Sequence, residues 1–480
     1  MSKIPSALKD YFRTWSGRMF PVWYLLLGAL SFNSFTAGRP YMSVFIALIL
    51  ALAAVRGCFM AAGFKKARPF ALLPCFAAFI LSYALSTIAS RAYGISENLQ
   101  ALVWLFLCLF IVYPAGFYEL RTEGSHAGPP VSRVFTAVLL FYSAFQAAAG
   151  FILLITGHNS LRPVNIYLGF WYGRLWGAYT DPNYGAVLSA VSIIVSLMCL
   201  TGGRISKKLR WIFIAHIIFQ YAYIVFSYSR GAMIIFAFML LLFYLYWCIS
   251  VRRGAAKSTG MAVLLISLVL SAYPIKNGYN AIVDIINQVS EENGGGEVAE
   301  ELDREEASIE SEFTLSDGRV AIWKNGFDIM KKNPVFGVSF RNMLPYMQDK
   351  MPDCYMATHD EPLAACHNMV ADIAASQGVT GVIILAATVA LAAVKSVKGW
   401  KYLSRREKDE AMLFGLAAAT TVGGAMFISD VFYINSPTTV VFWFCFGQWM
   451  ARVSIRRAYD PASDKQIDDK AADCGKQIEQ

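Results

Sequence analysis

Three arginines and one histidine draw attention by where they sit as much as by what they are. Arg230 lies in Ser227-Tyr228-Ser229-Arg230-Gly231, a short turn between two strongly apolar stretches. Arg319 follows Ser316-Asp317-Gly318 at the start of a stretch with helical periodicity. Arg174 lies in Gly173-Arg174-Leu175-Trp176-Gly177, ahead of Asp181-Pro182-Asn183. His367 opens an apolar run, His367-Asn368-Met369-Val370. A guanidinium is planar and permanently charged, so it suits phosphate oxygens, which it grips with paired hydrogen bonds. An imidazole with a near-neutral pKa can take the proton of a hydroxyl. Plainer readings stand beside these. Arg230 can snorkel to an interface along its aliphatic stem. Arg319 can pair with Asp317, and His367 can cap a helix. Asp181 reads as the N-cap of a helix whose first residue is Pro182. Arg319 is nonetheless misplaced, because a cation in a first helical turn opposes the dipole by about 0.3–1 kcal/mol if exposed. Such misfits gather at functional positions.

The elements that must position these residues follow from composition. The chain has 480 residues, of which 56% are hydrophobic and only 16% charged, with a mean hydropathy of +0.46. Soluble chains carry about 25% charged residues, so this deficit argues against a water-soluble protein. Apolar blocks recur at 20–36, 42–64, 70–90, 99–118, 134–156, 182–201, 211–227, 231–249, 260–275, 368–394, 410–428 and 431–450. They predict about twelve membrane spans. None of the connecting segments alternates with period two as barrel strands do, so the expected fold is an all-α polytopic membrane protein.

Charge sets the orientation. With the N-terminus inside, the cytoplasmic segments hold roughly 28 of the 42 Lys and Arg, and the short outer loops only about five. Examples inside are Lys65-Lys66-Arg68, Arg204-Lys207-Lys208-Arg210 and the run from Lys395 to Lys408. Both termini are expected in the cytoplasm of a cell (plasma) membrane protein. The net charge of +9 then needs no nucleic acid to explain it. The basic segment Met1 to Phe20 lacks a clear cleavage pattern, and the block after it reads as the first span.

The expected organisation is nine spans in 1–275, an extracytoplasmic loop at 276–366, three spans in 367–451 and a cytoplasmic tail at 452–480. Within the loop, 290–312 is almost purely acidic and polar with a Gly triplet, and reads as a solvated, mobile insertion. Val320, Trp323, Phe327 and Met330 then repeat at helical spacing, with Ser316 or Asp317 as cap and Asn333-Pro334 as stop. An amphipathic helix at about 318–332 is expected, lying on the outer membrane face or on the bundle. Cys58, Cys75, Cys108, Cys199, Cys248 and Cys445 lie in spans as small apolar packers. Cys354 and Cys366 are the two in the outer loop and can form a disulfide. His216 should face the bundle from within a span. His126 is cytoplasmic, and His359 sits beside Asp360-Glu361. No CxxC, His/Cys metal spacing or Gly-rich phosphate loop appears, so neither metal nor cofactor is expected.

Taken in order, the segments resemble a family. His367-Asn368, nine residues, then Gly378-Val379-Thr380-Gly381 is similar to the pattern of the O-antigen ligase and O-antigen polymerase superfamily, membrane glycosyltransferases of the GT-C type. Ahead of it, in matching order, come an Arg-containing loop before Asp181-Pro182-Asn183, and Ser-x-Ser-Arg-Gly at 227–231. A long outer loop follows with Asp317-Gly318-Arg319, Trp323 and Asn-Pro-Val-Phe-Gly at 333–337. The resemblance covers roughly residues 165–445, and the joint order is far more specific than any one motif. His158-Asn159 also has a glycine at the same offset, Gly169, which shows how weak that spacing is alone.

The resemblance implies a glycan donor on a polyprenyl pyrophosphate at the outer leaflet and a glycan or lipid acceptor hydroxyl. It makes His367 the catalytic base and Arg230 and Arg319 the pyrophosphate-binding arginines. Arg174 joins them on a looser match, with Asn368, Asp181 and Asn183 in support. Two reactions fit: a surface-polysaccharide polymerase, which is favoured, and a ligase with a different acceptor. A polysaccharide flippase or transporter would also have about twelve spans, but should carry coupling carboxylates or broken helices near the midplane. The spans here hold few ionisable groups at their centres.

Overall fold

The computed structural model describes residues 19–64, 70, 72–122, 130–162, 166–201, 205–251, 255–292, 301–302, 315–358, 363–428 and 430–454. The apolar blocks fold as helices α1 (Phe20–Ser31), α2 (Tyr41–Phe64), α3 (Leu73–Ala89), α4 (Ser96–Leu107), α5 (Tyr113–Thr122) and α6 (Val131–Ile155). A π-helical turn, Cys108–Val112, joins α4 to α5. A three-stranded antiparallel sheet follows, with strands β1 (Ser160–Arg162), β2 (Ile166–Trp171) and β3 (Arg174–Gly177) in that order. The chain continues through α7 (Pro182–Thr201), α8 (Lys207–Phe226), α9 (Arg230–Val251), α10 (Ala255–Leu270) and α11 (Ala272–Glu292). It ends with α12 (Leu315–Lys332), α13 (Met343–Lys350), α14 (Tyr355–Thr358), α15 (Met369–Trp400), α16 (Arg405–Ala425) and α17 (Pro437–Ser454).

Among the described residues, eight helical stretches are long and apolar enough to cross a membrane, fewer than the sequence suggests. The difference has identifiable sources. α1 and α3 are apolar but short. α16 opens on the charged run Arg405 to Glu410, behind a Ser404/Glu407 capping box. α17 begins only at Pro437, because Asp430 to Ser436 form a non-helical turn. Several helices meet at glycine. A Cβ on Gly116 of α5 would fall 2.5 Å from the Phe444 carbonyl of α17, and one on Gly447 would fall 2.3 Å from that of Tyr113. Close backbone approach of this kind is how membrane helices associate without a hydrophobic driving force between them.

Three expectations about the outer region are corrected. The segment at 157–181 is a sheet rather than a plain loop, because Ile166 to Gly177 is rich in β-formers around a Tyr172-Gly173 turn. The loop does not begin at Lys276: α11 carries the helix on to Glu292. Residues 293–300 and 303–312 of the acidic insertion lie outside the described residues. Between them, Leu302 is fully buried, and Asn280 exchanges hydrogen bonds with its N–H (2.8 Å) and carbonyl (3.3 Å). The amphipathic helix is present as α12, but its buried face is Ile322, Asn325, Gly326 and Ile329, whereas Val320 and Phe327 are exposed. Gly326 explains the rotation. Its missing side chain lets the helix backbone settle on Cys366 and Ala371.

Two motifs that are separate in the sequence interlock. α15 breaks at Gly378, whose φ is 63°. The carbonyls of Ala375 and Ser376, freed by the break, accept the N–H groups of Val338 (3.0 Å) and Ser339 (2.9 Å). In return Val379 N–H donates to the Pro334 carbonyl at 2.8 Å. The following residues are fastened to α3 and α4. Asn342 Nδ2 donates to Ser90 O and Oγ, and Asn98 Nδ2 donates to Asn342 Oδ1 at 2.8 Å. Gly337 sits at the seam with φ 62°, and a Cβ there would lie 2.3 Å from the Ala375 carbonyl. Gly337→Ala is therefore expected to destabilise the protein by more than the roughly 1 kcal/mol of a left-handed alanine alone, lowering the unfolding temperature. An unchanged unfolding temperature would show that the seam is looser than described.

Candidate active site

The turn after α16, Met426-Phe427-Ile428, is the point at which the separate motifs meet. Asn368 caps α15: its Oδ1 accepts the N–H groups of Val370 (2.9 Å) and Ala371 (3.0 Å). Its Nδ2 donates to the Met426 carbonyl at 3.0 Å, which ties the cap to the turn. On the other side of His367, Cys366 N–H donates to Asp372 Oδ1 at 2.7 Å. His367 is thus fixed from both neighbours, half-buried, in a left-handed conformation with φ 50°. Its Nδ1 lies 3.1 Å from the Ile428 carbonyl. A carbonyl can only accept, so this bond places the proton on Nδ1 and leaves the lone pair on Nε2. That is the tautomer of a proton acceptor.

Arg230 is the first residue of α9, one position before Gly231. A Cβ on Gly231 would lie 3.1 Å from Ile428 Cδ1 and 3.9 Å from Phe427 Cβ, so the arginine turn abuts the turn that orients His367. The Arg230 guanidinium lies 5.9 Å from the centroid of the Tyr228 ring. Lys276 of α11 lies over the same ring at 4.7 Å and donates to the Tyr228 hydroxyl at 3.1 Å. Two cations therefore share one aromatic platform, an arrangement that favours an anion between them. Lys276 carried no signal in the sequence, since it stood at the supposed start of a loop.

Arg319 reaches the same region from α12. Trp323, one helical turn on, packs on Phe427 with ring centroids 6.1 Å apart. Residues four apart share a helix face, so Arg319 and Trp323 stand together above the turn. About one turn further on, the helix touches the residue before His367: at Gly326 a Cβ would fall 2.6 Å from Cys366 Sγ. Gly318 likewise lies against the Tyr355 hydroxyl, where a Cβ would be 3.2 Å away.

Arg174 occupies a different place from the other arginines. It is buried, its Nε donates to Ser227 O at 2.9 Å and one terminal nitrogen donates to Asn183 Oδ1 at 2.7 Å. Asp181 caps α7, its Oδ1 accepting from Asn183 N–H at 2.6 Å and Tyr184 N–H at 3.3 Å. Arg174, Asp181 and Asn183 thus form a frame that holds the Ser227–Arg230 turn in place.

Behind the site stand two buried carboxylates that the sequence reading missed. Asp430 Oδ1 accepts from the N–H groups of Phe432 (2.6 Å) and Ile434 (3.2 Å), as well as Tyr433. Burial pushes its pKa up to about 6, with those amides pulling the other way. Asp372 is the second, and it anchors Cys366 as described. The disulfide expected between Cys354 and Cys366 is not formed. Both are thiols, Cys366 wholly buried beneath Gly326 and Cys354 in the turn into α14. Burial, reinforced by Asp372, pushes the Cys366 thiol well up. His216 faces the bundle, bonded to Ser196 Oγ (3.1 Å), Ser143 Oγ (3.2 Å) and the Leu140 carbonyl (3.2 Å). His126 and His359 lie outside the described residues. Among the described residues, no group of three or more His, Cys, Asp or Glu is placed to hold a metal ion.

Comparison with known families agrees with this reading of the motifs. No curated protein matches the chain. Residues 215–386 match the family described as O-Antigen ligase. The match runs from α8 into α15, so it takes in Arg230, Arg319, His367 and Asn368 and leaves out Arg174, Asp181 and Asn183. The apolar helices suggest a multi-pass membrane protein, and the matched family points to a glycosyltransferase-type enzyme. Residues 215–386 are thus similar to the O-Antigen ligase family, in keeping with the order of the motifs.

Proposed function

We propose that the protein is a membrane glycosyltransferase that moves a glycan from a polyprenyl pyrophosphate carrier to an acceptor hydroxyl at the extracytoplasmic face of the cell membrane. The observation that carries this reading is the shared turn at Met426–Ile428: it orients His367 through Nδ1 and abuts both the Arg230 turn and the helix of Arg319. In the proposed step the acceptor oxygen attacks the anomeric carbon of the donor glycan. His367 Nε2 takes the acceptor proton as the new carbon–oxygen bond forms. The bond from the anomeric carbon to the pyrophosphate oxygen breaks, and the pyrophosphate leaves with its electron pair. Arg230 and Arg319 hold that group and offset its growing charge, with Lys276 adding to the local field. Arg174, Asp181, Asn183 and Asn368 act by positioning these groups. On this reading the arginines supply the electrostatic stabilisation and no metal takes part.

Between the two reactions of the class, elongation of a lipid-linked surface polysaccharide is favoured over ligation to a different acceptor. The deciding experiment is analysis of surface glycans in a deletion strain. Single repeats left on the carrier are the expected outcome. Long unattached chains would replace the polymerase with a ligase. Repeats trapped on the cytoplasmic side would overturn the glycosyltransferase in favour of a flippase.

A further inference from the structure

The β2–β3 hairpin carries a cluster of four aromatic side chains that the chemistry above leaves unused. Tyr167 is its centre, with ring centroids 4.6 Å from Trp176, 5.4 Å from Trp171 and 5.5 Å from Tyr172. The hydroxyls of Tyr167 and Tyr172 are 3.1 Å apart and hydrogen-bonded. Two features show that the chain accepts a cost to build this cluster. The hairpin turns through Tyr172 (φ 54°) and Gly173 (φ 64°), both left-handed. A two-residue turn of that kind favours Asn-Gly, and a bulky side chain at positive φ is an outlier. Trp176, in turn, sits at an irregularity in the ladder: Leu175 pairs with Phe170 and Gly177 with Gly169, which leaves Trp176 without a cross-strand partner. Bulges of this kind re-aim side chains and cluster near functional sites. Its Nε1 is buried without a hydrogen-bond partner, an unmet donor beside an aromatic floor.

The cluster is also well placed. Arg174, two residues before Trp176 on β3, grips the turn that carries Arg230. We infer that Tyr167, Trp171, Tyr172 and Trp176 form a carbohydrate-binding platform, which holds pyranose rings of the glycan beside the pyrophosphate arginines. A pyranose face presents C–H groups that stack on the negative face of an aromatic ring, while its hydroxyls need donors and acceptors such as tyrosine hydroxyls. A purely apolar occupant would use the rings and waste the polar groups. A membrane-interface anchor is the competing use of tyrosine and tryptophan. Leu161, 53% exposed, pairs with Tyr167 across β1 and β2, so the depth reported by a nitroxide at position 172 separates the two uses.

This inference rests on the proposed glycan chemistry, and its test keeps the two apart. The probe is the soluble oligosaccharide repeat released by mild acid from the surface polysaccharide of the producing cells. Its binding to the purified full-length protein is read by saturation-transfer NMR. The wild type should bind, and Tyr172→Phe, which keeps the ring and loses the hydroxyl, should bind about threefold more weakly. Tyr172→Asn should bind about tenfold more weakly, the scale of one aromatic contact. Because asparagine suits the turn better than tyrosine, that variant should unfold at the same or a higher temperature, so misfolding cannot explain its loss. Tyr172→Asn binding within twofold of wild type would overturn the platform. So would a wild type that transfers glycan from a lipid-linked donor yet shows no binding of the free repeat, or a nitroxide on Tyr172→Cys that reports a lipid depth. A wild type that binds the repeat but transfers nothing would sink the proposed reaction and leave the platform standing.

Discussion

His367→Ala is expected to abolish glycan transfer while the protein still binds its lipid-linked donor. A positioned general base is worth about 10²–10⁴-fold in rate, and the donor's affinity resides mainly in the arginines and its lipid. The expectation is sharpened by geometry. The Nδ1 bond to Ile428 O fixes the ring so that only Nε2 can act, and neither neighbour can substitute, since Asn368 and Cys366 are committed to the cap and to Asp372. Alanine itself is strained at a φ of 50°, so a lost activity could reflect a displaced loop. His367→Asn removes the base but tolerates that conformation, and it should be equally inactive. His359→Ala, at a histidine with no matching position in the family pattern, should transfer normally. The measurement is turnover by purified variants with a lipid-linked donor, with and without chelator. Near wild-type turnover by both His367 variants would remove the base from the mechanism and leave His367 as a helix-capping neighbour.

Arg230→Lys should fail almost as badly, although it keeps the charge. A lysine ammonium lacks the planar fork that binds two phosphate oxygens at once, and hydrogen bonds to charged groups are worth about 1.5–3 kcal/mol. A loss of about 10- to 100-fold in kcat/KM follows. Unlike the His367 variants, Arg230→Lys should also weaken donor binding, because the interaction exists in the ground state as well as the transition state. Arg174→Lys should differ from both. Its guanidinium spends two donors on Ser227 O and Asn183 Oδ1, so the loss falls on the frame and should lower the unfolding temperature along with activity. If Arg230→Lys retained full donor affinity, the anion would have to be held by Lys276 and Arg319 without it.

Much of the helical framework was legible because membrane spans announce themselves by length and apolarity, and the caps at Asp181 and Asn333-Pro334 are local signals. What the sequence concealed was contact. The hairpin at 160–177 hides among the connecting segments because its strands are short. Yet Ile-Tyr-Leu-Gly-Phe-Trp followed by Tyr-Gly was a readable strand and turn. The buried face of α12 was misplaced by one position because periodicity counts large apolar residues, whereas the packing is set by Gly326, which has no side chain to count. α11 runs on to Glu292 because Lys276, Asn277 and Asn280, polar as they are, interrupt no hydrogen bond of a helix. The arginines and histidine were found by motif order. Lys276 was not, because its partner Tyr228 lies 48 residues away in the chain, and neither were Asp372 and Asp430, whose local bonds stand out only once their burial is known.

The seam between Gly337 and Gly378 restricts how anything can reach His367. A lid formed by 334–339 would have to give up the bonds from Val338, Ser339 and Val379, exposing carbonyls of a broken helix in a buried place. Each such orphaned group costs several kcal/mol away from water, more than thermal motion supplies at any useful frequency. The C-terminal end of α12, the strap after it and the N-terminal part of α15 must therefore travel as one rigid body. Whatever opens the way to His367 must hinge outside this seam.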